Sequence, residues 1–280
     1  MSAVQWWCSA QGVPWSWSWR PYPGVWLFML LVAAAYLAPA WRTRASGGDG
    51  ATWPPVRRAA AIAGLVLLWI SLDWPVGALG SGYLASVHMV QYILLSLVVP
   101  PLLVAGMPPA THAALARRRR LAAVVRALTQ PLVAVALFIV TFLVTHAPPV
   151  TDALMATQLG SLVLDLAWLV TGVLFWWPLV GTPPGRRALP PPGRIACLIA
   201  GAVPHTPVAM WMILASYPLY ATFELAPRVY GFDARADQQV AGGIMLVVGG
   251  LYVLGMLSAI FLRWQGTGEE RQRPLHVPTV

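Results

Sequence analysis

The chain contains no lysine; all 18 of its basic residues are arginine. Acidic residues are scarce too, 9 in 280. Charged residues therefore make up only 10% of the sequence, against roughly 25% in a soluble domain. With 58% hydrophobic residues and a mean hydropathy of +0.67, that shortage excludes an ordinary soluble globule and predicts a polytopic membrane protein. The two cysteines, Cys8 and Cys197, form no CxxC pair, and a disulfide or thiolate site is not expected. The basic n-region of a cleavable signal peptide is missing, so the first apolar stretch is expected to act as its own insertion signal. GxSxG, HExxH, P-loop and Gly-rich dinucleotide motifs are absent, and no enzymatic activity is expected. No repeat of fixed period is visible, and the apolar stretches leave no room for a soluble domain.

What is present is tryptophan, proline and long apolar runs. Residues 1–23 carry Trp6, Trp7, Trp15, Trp17 and Trp19, and tryptophan favours the headgroup layer, so this extracytoplasmic segment is expected to lie on a membrane surface. Seven apolar stretches follow, at 24–40, 59–74, 83–105, 127–146, 158–180, 195–217 and 240–262, which make 24–263 an all-α seven-helix bundle. The loops at 41–58, 106–126 and 181–194, together with the tail at 264–280 and Arg263 before it, hold 15 arginines. Only Arg20, Arg228 and Arg235 fall on the other side. Under the positive-inside rule the N-terminus is outside and the C-terminus cytoplasmic, in a multi-pass membrane protein. The net charge of +9 is thus explained by topology, and no nucleic-acid partner is expected.

The central feature is HMVQYILLSLVVPPLLVAGMPP, residues 88–109. His88, Gln91 and Tyr92 are spaced i, i+3, i+4 and share one helix face, and polar groups in hydrocarbon need partners. In the oriented bundle His88, His146, Asp165 and the run Asp237-Gln238-Gln239 all fall in the outer leaflet, as does Asp73 at the end of the second stretch. Asp165 must be paired, hydrated or protonated, with His88, His146 or Arg235 as candidate partners. Asp237 can cap the last span, but capping does not account for both glutamines. His205, between Pro204 and Pro207, reads as a packing residue bonded to a freed carbonyl. His112 and His276 are given no role. The Gly-Gly pairs at 242–243 and 249–250 read as close helix contacts. Imidazole, carboxylate and thioether together suit copper or another transition metal, with Met89 and Met245 nearest the outer cluster.

These motifs resemble a known family, the seven-span cytochrome c oxidase assembly factor CtaG of the caa-type oxidases. The resemblance runs from about Trp19 to Trp264. It rests on HMVQY with VVPPLLVAGMP (88–108), THAPPVTDAL (145–154), GVLFWWPLVG (172–181), YPLY (217–220) and DQQVAGGIM (237–245). It implies a role in maturing a haem-copper oxidase, with copper insertion supported from the outer face and oxidase subunits as partners. His88, Met89, Gln91, His146, Asp152, Asp237, Gln238, Gln239 and Met245 match the family pattern. Tyr92 replaces a second histidine of HMxQH, and Ser161, Leu164 and Asp165 stand where the family has a histidine and an EH pair. A phenol and a hydroxyl are poor ligands for soft copper. Two readings follow. Either His88, His146 and Asp165 form a reduced metal set, or the protein is a metal-free accessory partner of an oxidase complex. A small transporter ranks last, because no paired interrupted helices mark inverted repeats.

Overall fold

The computed structural model describes residues 5–45, 53–229 and 231–272, with side chains through residue 266. Arg273 and His276 lie outside these residues, and Arg271 lies beyond the described side chains. Among the described residues all regular structure is helical. In chain order the helices are α1 (Pro23–Ala45), α2 (Pro55–Leu72), α3 (Val76–Gly80), α4 (Ala85–Ile93), α5 (Val99–Gly106), α6 (Pro109–Arg117), α7 (Arg119–Leu128) and α8 (Pro131–Thr145). They continue with α9 (Pro148–Met155), α10 (Gln158–Val180), α11 (Pro191–Ala202), α12 (His205–Leu214), α13 (Ala221–Glu224), α14 (Ala234–Gly243) and α15 (Gly250–Gln272). A π-helical segment joins α4 to α5 (Leu94–Val98) and another joins α14 to α15 (Ile244–Gly249). Pro23, Pro55, Pro109, Pro131, Pro148 and Pro191 each open a helix, where a missing N–H breaks no intrahelical bond.

Six helical stretches among the described residues are long and apolar enough to cross a membrane: Pro23–Ala45, Pro55–Leu72, Ala85–Gly106, Gln158–Val180, Pro191–Leu214 and Ala234–Gly266. The stretch expected at 127–146 differs. Its helix α8 has 15 residues, about 22 Å at 1.5 Å per residue, which is short of a hydrocarbon core of roughly 30 Å. The preceding α7 reaches a comparable total length only as a pair bent by 71°.

Ala85–Gly106 is the centre of the bundle. Of its most apolar window 72% is buried, against 6% for Pro23–Ala45. Helix α2 packs along α5, α10 along α5 and α8, and α14 along α4 and α12. The consecutive prolines shape this centre. Pro100 has no N–H to offer the Ser96 carbonyl one turn back. The chain widens there into its π segment, and the Trp176 indole donates to Ser96 O at 3.1 Å instead. Gly172 permits the approach, since a Cβ at that position would stand 2.8 Å from both Ser96 O and Pro100 Cγ. Of the glycine pairs only Gly242 serves a close helix contact, facing Ala209 O and Ile213. A Cβ on Gly243 or Gly250 would meet nothing within 4 Å, and one on Gly249 only Ile93 at 4.0 Å.

The N-terminal segment does not simply lie on a surface. Trp17 and Trp19 remain exposed, but Trp7, Cys8 and Tyr22 are fully buried. Gln158 Oε1 accepts from Trp6 N at 2.7 Å and Trp7 N at 3.0 Å, and the Cys8 thiol donates to Leu72 O. Tyr83 adds a hydrogen bond from its hydroxyl to Val13 O at 2.9 Å. The segment is a plug over one end of the bundle. Burial first, and the carboxylates of Asp165 and Asp73 second, push the Cys8 thiol well above its usual range.

Candidate functional site

The polar residues expected from the sequence collect at the end of the bundle covered by the N-terminal segment. Most of them tie elements together. Asp165 on α10 accepts the Trp7 indole N–H at 2.9 Å and the Gln91 amide at 3.1 Å, one on each oxygen. Asp73 accepts indole N–H groups from Trp26 and Trp69, at 2.9 and 2.7 Å, and the Trp74 backbone N–H at 2.8 Å. These tryptophans act as donors to buried carboxylates. Residue-type preference alone assigns them to the interface and misses this role.

The DQQ run is a three-way clasp. Asp237 accepts from Ala85 N at 2.6 Å and from the Ser86 hydroxyl, so it caps α4 across the bundle rather than its own helix. Its own helix is capped by Asp233, whose carboxylate accepts from Arg235 N and Ala236 N. Gln238 accepts from Leu219 N at 2.6 Å and donates to Met212 O at 3.1 Å, while Gln239 donates to Ile213 O at 3.1 Å. The two glutamines thus hold the unwound end of α12 and the YPLY stretch. Asp152 does the same for α13, accepting from Ala221 N and Thr222 N. Gln91 requires Gly80 beside it, because a Cβ there would stand 2.7 Å from Gln91 Oε1.

The imidazoles stand apart from this pattern. His146 Nδ1 donates to Phe142 O at 2.8 Å, which fixes the tautomer and leaves Nε2 as a bare acceptor. Nε2 is buried without a hydrogen-bond partner, and so is Nδ1 of His88. Both residues line one small cavity of about 10 Å³, together with Met89, Met212, Thr145 and Tyr220. That is room for one small ion or one water molecule. Tyr220 donates from its hydroxyl to the His146 carbonyl at 2.9 Å, and the His88 ring meets the edge of Trp168 at 5.0 Å, so both rings are held.

Tyr92 and His205 form a separate pair, with the phenol oxygen 2.7 Å from Nε2. This phenol is a partner of His205 that the sequence did not predict. The pair lines an apolar cavity of about 110 Å³ with Met245, Phe138 and Phe175. The candidate metal set is therefore divided. His88, Met89 and His146 share the small cavity, Met245 sits at the apolar one, and Asp165 lines neither. Ser161, where the resemblance expects imidazole, buries its hydroxyl without a partner. Among the described residues no group of three or more His, Cys, Asp or Glu side chains is placed to hold a metal. Met212, Thr145 and Trp168 were not singled out by sequence, since a methionine, threonine or tryptophan in a span carries no mark separating cavity lining from packing.

Comparison with known proteins places this geometry. The family model described as cytochrome c oxidase caa3 assembly factor (Caa3_CtaG) matches residues 34–267. The chain is 29% identical over 260 residues to uncharacterized protein Mb0105 of Mycobacterium bovis and to uncharacterized protein MT0111 of Mycobacterium tuberculosis. It is 28% identical over 269 residues to uncharacterized protein ML1998 of Mycobacterium leprae. Each match covers 86% of this chain and 39% of the relative, so the chain spans well under half the length of these proteins. No solved structure matches the chain.

Proposed function

From membership of the caa3 cytochrome c oxidase assembly factor family, to which this chain belongs, we propose that it supports copper delivery to a haem-copper oxidase at the end of the bundle closed by its N-terminal segment. The observation that carries the reading is the pair of unpartnered imidazole nitrogens, His88 Nδ1 and His146 Nε2, lining one ion-sized cavity beside the thioethers of Met89 and Met212. Neutral imidazole and thioether suit Cu(I), the softer copper ion, and burial keeps water from competing. Copper here is cargo. A site of two imidazoles with thioether support can release it, whereas a fully ligated one would retain it. Asp165 serves as a positioning residue that seats Gln91 and the plug, rather than as a ligand.

The arginine distribution supports an orientation with this end extracytoplasmic and the C-terminus cytoplasmic in the bacterial plasma membrane. That orientation needs an odd number of crossings, so α8 makes a short seventh span and α7 lies along the interface. The partners are oxidase subunits, and the role is non-catalytic. The direct test is complementation. A strain lacking the gene should lose copper from its caa-type oxidase, and the wild-type chain should restore it. His88→Ala and His146→Ala should not, although both variants reach the membrane. Full oxidase copper with both variants would sink the proposal.

A second reading draws on the absence of any three-member His/Cys/Asp/Glu group among the described residues. In it the chain is a metal-free accessory of the oxidase. It predicts stoichiometric co-purification with haem-containing subunits and full complementation by both histidine variants.

A further inference from the structure

The opposite end of the bundle carries a feature that copper delivery does not use. Arg42 and Arg44 at the end of α1, Arg58 at the start of α2, and Arg117 and Arg118 at the α6–α7 junction line one open concavity of about 760 Å³. Trp53 forms part of its wall, and no Asp or Glu among the described residues lines it. Five arginines from three chain segments converge here, and none of the described lining residues is a carboxylate. The neighbouring Arg57 is different, since it donates to Ala105 O at 2.9 Å and Met107 O at 3.2 Å and so clamps α2 to the end of α5. No hydrogen bond or ion pair engages the guanidinium group of Arg44, Arg58, Arg117 or Arg118 among the described residues. Guanidinium groups converging without counter-charge recruit an anion, and their planar forks match phosphate oxygens two at a time.

Three observations tell a lipid phosphate from a soluble one. The concavity sits where α1 ends and α2 begins, both apolar enough to span, so it lies at headgroup depth. Trp41, 78% exposed, and Trp53 mark the same level, as interfacial tryptophans do. The adjoining α7 turns 71° away from α8 and exposes Leu121 and Val124 between Arg119, Arg120 and Arg126, the pattern of a helix lying in the membrane plane. Acyl chains below the phosphate would meet the exposed apolar flanks of α1 and α2, at Leu30, Leu31 and Ile62.

We propose that this arginine-lined concavity is a binding site for the phosphate headgroup of an anionic glycerophospholipid, with α7 resting in the same headgroup layer. The site makes no use of the His88–His146 cavity, so it stands or falls independently of copper delivery.

The test is native mass spectrometry of the full chain, delipidated in neutral detergent, with added phosphatidylglycerol, phosphatidylcholine or inorganic phosphate. The wild type should retain phosphatidylglycerol well above phosphatidylcholine. Arg58→Gln/Arg118→Gln should weaken that preference roughly thirtyfold, the equivalent of about 1 kcal/mol per arginine lost. The charge-matched control Arg187→Gln/Arg263→Gln should leave it intact. Arg58→Lys/Arg118→Lys keeps the charge and should lose part of the preference, because an ammonium cannot bind two oxygens at once. Equal retention of the two lipids, or equal loss in both glutamine pairs, would overturn the site. Inorganic phosphate displacing the lipid at millimolar concentration, with the same dependence on Arg58 and Arg118, would reassign it to a soluble anion.

Discussion

The two ends of the bundle handle charge in opposite ways. At the plugged end the carboxylates Asp73, Asp152, Asp165 and Asp237 each accept hydrogen bonds from backbone, indole, amide or hydroxyl donors. At the arginine end five arginines line a concavity with no acid among its described lining residues. The plugged end uses its acids as internal ties, whereas the arginines of the concavity line an open surface. Formal charge is therefore a poor guide to the candidate site here. What marks it is the polar atom left over after the ties are made, and at the plugged end two residues with such an atom, His88 and His146, line one cavity.

That contrast can be broken most severely at the plug. Trp7→Ala removes a fully buried ring and the donor to Asp165, and should cost about 3–5 kcal/mol, the usual range for deleting a buried large aromatic. Thermal unfolding in detergent measures the loss, and the Cys8 thiol gives a second readout. Its raised pKa keeps it protonated at pH 8, so a maleimide should leave it unlabelled in the wild type and label it in Trp7→Ala. An unchanged melting temperature together with a labelled wild-type Cys8 would show the segment to be loose.

Next in size is Asp165. Asp165→Ala strands the Trp7 indole and the Gln91 amide, at about 1–3 kcal/mol for each buried donor. Asp165→Asn keeps one acceptor oxygen and should cost less. If Asp165→Asn were as damaging as Asp165→Ala in stability and also abolished metal retention, the carboxylate would be a ligand after all. Asp237→Ala should cost about 1 kcal/mol, as loss of a helix cap does, and amide exchange should rise at Ala85 and Ser86. Faster exchange at the start of α14 alone would point to an intrahelical role.

The smallest effect divides two adjacent residues. Arg57→Gln removes bonds to Ala105 O and Met107 O and should cost about 1–3 kcal/mol, whereas Arg58→Gln should stay within about 0.5 kcal/mol. Equal costs would mean that the two ends do not differ as described.

Much of this architecture was legible in the residues. The apolar stretches at 158–180 and 83–105 match helices to within a few positions, because an apolar run of that length leaves the backbone no other way to satisfy itself in lipid. The stretch at 127–146 corresponds to the shorter α8, because Ala127 and Leu128 at its start belong to α7, which is bent by 71° from the α8 axis. The sequence singled out His88, Met89 and His146, which line one cavity, since an imidazole in an apolar run is conspicuous. It could not foresee that Asp165 would face Trp7, 158 positions away, or that Tyr92 would pair with His205. Those pairings are fixed by how helices pack around the central span, and no local pattern encodes them.

The account rests on two unpartnered imidazoles forming the copper-facing part of the site, and one measurement tests that directly. Purified wild-type chain exposed to Cu(I) under reducing, anaerobic conditions and then desalted should retain about one ion per chain, as should Asp165→Asn. His88→Ala and His146→Ala should each retain essentially none while unfolding at wild-type temperature. Retention by both histidine variants, or none by the folded wild type, would contradict it.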